Sequence, residues 1–106
     1  MRRLLSTWAG RSEFEYDGSV SSGTTIYYGT GFLTRVSKEQ YSALLQYFRG
    51  QTVNIGTSRD RAPEGSIGAW LQKYVTPVAI ASYVGAILIY EGYASKSYER
   101  AMIKIK

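Results

Sequence analysis

The sequence predicts an α+β fold: three helices, a small antiparallel sheet and an N-terminal β-hairpin extension. Three observations predict it. Residues 66–92 hold a short helical pattern, a three-residue break at Val75-Thr76-Pro77, and a longer apolar helical pattern closed by Gly92. Residues 37–50 hold a capped amphipathic helix. The first third is rich in Gly, Ser and Thr and alternates apolar with polar side chains, the period of a half-buried strand. A chain of 106 residues makes one domain, 1–106, which divides into an arm with β-strands (1–36) and a helical core (37–106).

In chain order, residues 1–11 are basic and aperiodic and read as a loose arm. Over Ser12–Asp17, Phe14 and Tyr16 share one face, and Glu13, Glu15 and Asp17 the other. Asp17-Gly18 and Ser21-Ser22-Gly23 mark a turn into the β-prone run Thr24–Tyr28. Gly29-Thr30-Gly31 breaks that run and Phe32–Val36 resumes it, so two or three antiparallel strands are expected. The Gly-Thr-Gly lacks the Lys and the following helix that a phosphate cradle needs, so it reads as a turn or bulge.

Ser37-Lys-Glu-Gln40 is a capping box: the Ser37 hydroxyl reaches the N–H at position 40, and Gln40 reaches back. The helix behind it runs to Arg49 with Tyr41, Leu44, Leu45 and Phe48 as its stripe and Gly50 as its stop. A short strand over 51–55 and a loop over 56–65 follow, the loop carrying Arg59, Asp60, Arg61 and Glu64. These two Arg can grip phosphates or pair with Asp60 and Glu64. The second helix covers 66–74, with Ile67, Trp70, Leu71 and Tyr74 on one face. Thr76 suits a cap and Pro77 a first helical position, which starts a third helix over 77–91. Such a short join favours a steep crossing of the two helices. Tyr93-Ala94, a polar turn at 95–97 and a final strand from 98 to 105 complete the chain.

Composition narrows the function. With no Cys there is no disulfide framework and no thiolate metal site; with no His the commonest general base and metal ligand are missing. Nothing sets a nucleophile beside the Glu13–Glu15–Asp17 carboxylates, which read as a solvent face, so neither an enzyme nor a cofactor or small-molecule ligand is expected. Thirteen Lys and Arg against eight Asp and Glu give +5, a balance that suits a nucleic-acid partner, and ten Tyr can fill a core or contact a nucleic acid. The uncharged run 74–90 sits at the bottom edge of what spans a bilayer, and Met1-Arg-Arg-Leu-Leu is interrupted before an apolar segment forms. No membrane and a cytoplasmic location are expected.

The order helix, strand, helix, helix, strand, turn, strand over residues 38–106 resembles the winged helix-turn-helix family. Ile67 and Leu71 match the inward positions of its second helix, Val75-Thr76 its turn and cap, and Ile80, Val84 and Ile87 the inward positions of its third. Glu91-Gly92-Tyr93-Ala94 resembles the exit into a wing. The chain departs from the family on the outer face of the third helix. That face usually carries Arg, Lys, Asn or Gln for base edges; here it carries Val78, Ala79, Ser82, Gly85 and Ala86, with Tyr83 nearby.

The resemblance implies a DNA-binding protein: a small transcriptional regulator or mobile-element accessory factor, dimeric, that contacts duplex DNA with its helix-turn-helix and basic wing. Affinity would come from phosphate neutralisation by Arg59, Arg61, Lys73, Lys96 and Arg100, with Thr76, Ser82 and Tyr83 contributing near the start of the third helix. The competing expectation is a non-enzymatic assembly module that oligomerises through the apolar helix 77–91.

Overall fold

The alternation over residues 13–36 builds three antiparallel strands, within the two or three expected, and the basic segment before them adds a fourth. In the computed structural model, which describes residues 2–106, β1 (Arg3–Ser6), β2 (Glu13–Ser19), β3 (Gly23–Tyr28) and β4 (Phe32–Val36) pair antiparallel in the order β1-β2-β3-β4. Residues expected to be a loose arm are thus an edge strand and its connection; Met1 lies outside the described residues. The register aligns Leu4, Glu15, Tyr27 and Leu33 in one row across all four strands. Phe14, Tyr16, Thr24, Ile26 and Val36 are buried on the other face, as the period of two requires. Asp17-Gly18 falls inside β2 and does not turn the chain; Gly18 has φ +87°, and an added Cβ would strike the Gly23 carbonyl.

Helix α1 (Lys38–Phe48) follows its capping box as expected. The Gln40 N–H donates to Ser37 Oγ at 3.1 Å, and the Ser37 N–H donates to Gln40 Oε1 at 2.9 Å. Tyr41, Leu44 and Phe48 are buried, and the Tyr41 hydroxyl meets Thr24 Oγ1 at 2.7 Å, joining α1 to the sheet. The chain then forms β5 (Thr52–Asn54), α2 (Ile67–Tyr74), α3 (Ala81–Tyr90), β6 (Ala94–Lys96) and β7 (Met102–Ile105). The last strand is shorter than expected, because 97–101 make the turn. The second sheet has the order β5-β7-β6, both pairs antiparallel.

The join between α2 and α3 differs from expectation. Thr76 does not cap a helix at Pro77; its Oγ1 accepts from the Val78 N–H at 3.3 Å in a local turn, and α3 starts at Ala81, so residues 75–80 separate the helices. The N-cap is Ile80, without a side-chain cap, and its carbonyl accepts from Tyr83 and Val84. Ile80 is almost fully buried. Burying that side chain sets the start of α3 where a cap residue would otherwise have set it. The helix itself lies in the interior: Ala81, Val84, Gly85, Ile87 and Leu88 are buried, and only Tyr90 is exposed. It touches β1 on one side and β6 on the other, inside a core fed by both sheets and all three helices.

Candidate nucleic-acid interface

Strand directions decide which loops share an end of the molecule. Register places the β1–β2 turn (7–12) and the β3–β4 turn (29–31) at one end of the first sheet. In the second sheet, Asn54 pairs with Met102 and the Ile55 N–H donates to the Ala101 carbonyl at 2.9 Å. The β5–α2 loop and the β6–β7 turn therefore leave together. The two ends coincide. The Trp8 N–H donates to the Ser82 carbonyl at 3.0 Å, and Lys96 Nζ donates to the Trp8 carbonyl at 2.7 Å. Four connections and the first turn of α3 thus form one loop end.

Six of the eight residues singled out from the sequence lie at this end: Arg59 and Arg61 in the β5–α2 loop, Ser82 and Tyr83 in α3, Lys96 closing β6, and Arg100 in the β6–β7 turn. Lys73 and Thr76 do not. Helix α2 begins at the loop end, where the Gly68 N–H donates to the Ile55 carbonyl. It finishes where Gln40 Nε2 donates to the Tyr74 carbonyl, beside the start of α1. Lys73, in the last turn, is therefore about 9 Å along the helix from its loop-end start. There it lies over the Tyr74 ring, 5.3 Å from its centroid, and complements the helix dipole.

Three of the six are committed to contacts within the chain. Tyr83 stacks on Tyr28 with centroids 4.9 Å apart and leans on Phe14 at 5.0 Å. Burial pushes its hydroxyl above the ordinary tyrosine pKa, the Tyr28 hydroxyl adds to this, and the Arg59 charge opposes it. Ser82 is half-buried under the β1–β2 turn. Lys96, besides its bond to Trp8, sits 4.7 Å from the centroid of the Trp8 ring. The remaining three, Arg59, Arg61 and Arg100, are exposed. Asp60, Glu64 and Glu99 share their loops, yet among the described residues ion pairs join only Arg2 to Glu15 and Asp17. The pairing of Arg59 and Arg61 with Asp60 and Glu64, an alternative left open by the sequence, does not occur.

Two residues at this end escaped the sequence reading. Arg11 is exposed in the β1–β2 turn, a connection that only the pairing of β1 with β2 creates. Tyr98 is 99% exposed in the β6–β7 turn, where strand had been expected. The face of α3 that would enter a major groove is half-buried or buried from Ser82 to Ala86, with Val78 exposed ahead of the helix. Trp8 lies against Gly85, and Phe14 and Tyr28 cover Tyr83. Of the segment 77–91 expected as an oligomerisation surface, Pro77, Val78 and Tyr90 are exposed and the rest is half-buried or buried. Among the described residues no group of acidic side chains could hold a metal ion, and no helix is long and apolar enough to cross a membrane.

Comparison with family models, with curated proteins and with solved structures gave no match.

Proposed function

We propose that the protein binds duplex DNA through its loop end, holding phosphates with Arg59, Arg61, Arg100 and Arg11 while α3 stays inside the fold. The carrying observation is that arginines from three separate connections are exposed at one end without a carboxylate partner. Guanidinium groups suit phosphate oxygens because their planar donors bond in pairs. Residues 37–106 would be a winged-helix-like core, a reading supported by the helix–strand–helix–helix–strand–strand order and the β5-β7-β6 sheet. The four-stranded sheet is then the addition, covering the helix that such proteins usually present to bases. Recognition without that helix rests on backbone charge, so affinity follows phosphates more than sequence.

Binding to mixed-sequence duplex DNA between about 50 and 200 mM salt tests this, because each phosphate contact contributes about 0.9 to the logarithmic salt slope. A slope of about 3–4 is expected from four arginines. No binding at the lower salt, or affinity indifferent to salt, rejects the proposal.

A second reading, assembly with another copy of the chain, is favoured by one observation. Strand β4 is an open edge whose Phe32 and Leu33 are exposed, and unpaired edges of this kind invite a further strand. A solution mass equal to one chain at micromolar concentration rejects it.

A further inference from the structure

Of the large exposed apolar and aromatic side chains, Tyr98 has the least connection to its own fold. Other exposed tyrosines, Tyr47, Tyr74 and Tyr90, retain a large part of their surface against the chain, whereas Tyr98 is 99% exposed and meets no other ring among the described residues. Its backbone, in contrast, is held firmly. The Ser97 N–H donates to the Met102 carbonyl at 2.9 Å, the Glu99 N–H to Ser97 Oγ at 3.2 Å, and the Met102 N–H to the Glu99 carbonyl at 3.3 Å. Ala101 closes the turn at φ +61°, and its carbonyl receives the Ile55 N–H. A fixed turn that holds a bare aromatic ring in water, with Arg100 two residues on and Arg59 and Arg61 on the adjoining loop, combines a stacking surface with phosphate-binding charge.

We infer that Tyr98 is a base-stacking residue and that the loop end takes nucleic acid with unpaired bases in preference to intact duplex. Every base has a flat π-face, which is accessible when unpaired and covered within a helix, so one tyrosine serves any sequence. Tyrosine also suits a protein interface, but there an aromatic anchor sits in an apolar surround; here the neighbouring loops are charged, with Arg11, Arg59, Arg61 and Arg100 outnumbering Asp60, Glu64 and Glu99. The inference rests on the loop end binding nucleic acid, and the experiment separates the two.

Binding of the full chain to labelled oligothymidylate and to a duplex of equal length would be measured for the unaltered protein, Tyr98→Ala, Tyr98→Phe and a triple variant of Arg59, Arg61 and Arg100 to Gln. Because Tyr98 contributes nothing to the core, Tyr98→Ala folds as the parent does. The unaltered protein is expected to prefer the single strand, Tyr98→Ala to lose about ten-fold there and less than about two-fold on duplex, and Tyr98→Phe to retain the preference. The triple variant should lose affinity for both. Salt-dependent duplex binding with no single-strand preference, or with Tyr98→Ala indistinguishable from the parent or equally impaired on both probes, overturns the stacking role alone. Binding to neither probe overturns the interface as well.

Discussion

Tyr83 in the first turn of α3 stacks on Tyr28 at the end of β3, with ring centroids 4.9 Å apart and planes 24° from parallel. That pair ties the third helix to the N-terminal sheet and turns a candidate reading helix into an interior one. It also separates two roles for Tyr83 experimentally. Tyr83→Ala removes the packing on both Tyr28 and Phe14 and is expected to lower unfolding stability by about 2–3 kcal/mol, whereas Tyr83→Phe keeps both ring pairs and should change it by less than about 0.5 kcal/mol. Urea titration reads the difference. A Tyr83→Ala protein of unchanged stability that had lost DNA binding would return the residue to the surface role expected from the sequence.

The other end of α3 is tied by a carboxylate. Tyr16 donates its hydroxyl proton to Glu91 Oε2 at 2.7 Å, and the Val20 N–H donates to Oε1 at 3.0 Å. Glu91→Ala leaves a Tyr hydroxyl and a backbone N–H without their partner, at an expected cost of about 2 kcal/mol. Glu91→Gln retains one acceptor oxygen but offers a donor where the second acceptor stood, so about 1 kcal/mol is expected. Equal effects of the two, measured by denaturant midpoint, would mean that the side chain acts by packing and not by accepting these bonds.

What the sequence disclosed and what it hid divide along locality. Helix α1 was legible because Ser37, Gln40 and the Tyr41–Leu44–Phe48 stripe are neighbours on one helix. The final strands were legible in kind because Ile103 and Ile105 alternate with polar residues. Strand β1 was hidden because adjacent Leu4 and Leu5 mask an alternation that only pairing with β2 reveals. The start of α3 was hidden because Thr76-Pro77 offers a sound local signal, which the burial of Ile80 overrides from outside the segment. The cover over α3 comes from Trp8, Phe14 and Tyr28, and no local period reports residues so distant in the chain. The candidate interface was legible in residue type and only partly in place: charge identified Arg59, Arg61 and Arg100, while topology was needed to separate them from Lys73.

Two glycines in helices make opposite predictions. At Gly68 an added Cβ would collide with the backbone carbonyl of Gly56, which the Gly56-to-Gly68 approach cannot relieve, so Gly68→Ala is expected to cost about 2–3 kcal/mol net of helix propensity. At Gly85 the added carbon meets the Ile55 δ-methyl at 2.6 Å and Trp8 Cε3 at 3.2 Å. The δ-methyl can rotate away, and Ala gains about 1 kcal/mol over Gly in a helix, so the net change should lie within about 1 kcal/mol of zero. Thermal unfolding of the pair checks the ordering.

Alkaline pH should destabilise the protein through its buried tyrosines. Burial raises the pKa of Tyr16, reinforced by its bond to Glu91 and by that carboxylate's charge. Burial also raises Tyr41, against the bond from Thr24. Both groups ionise near the ordinary value of about 10 when the chain is unfolded. The folded state then holds protons that the unfolded state has released, so their contribution is complete below about pH 10 and falls as pH rises through the folded pKa. The slope is at most about 1.4 kcal/mol per pH unit for each group. Tyr41→Phe should remove its share of that slope while lowering stability at neutral pH by about 1 kcal/mol, because Thr24 loses its partner. Denaturant midpoints between about pH 8 and 11 read both effects, and an unaltered alkaline slope in Tyr41→Phe would contradict them.

Position, and not net charge, should govern DNA affinity. Arg59, Arg61 and Arg100 share the loop end, whereas Lys73 lies at the far end of α2 and Arg49 follows the last turn of α1, beside the Gly50 N–H that donates to the Ile105 carbonyl. Neutralising Arg59, Arg61 and Arg100 to Gln removes the same charge as neutralising Arg49, Lys73 and Lys38, the last in the first turn of α1 beside Gln40, which meets the far end of α2. Each phosphate that the interface no longer neutralises should lower the logarithmic salt slope by about 1, so the first variant is expected to lose about 3 and the second almost nothing. All six side chains are exposed, so neither variant should unfold. If both sets weakened binding equally, attraction would depend on the overall field of a +5 protein, and the loop end would not be a site.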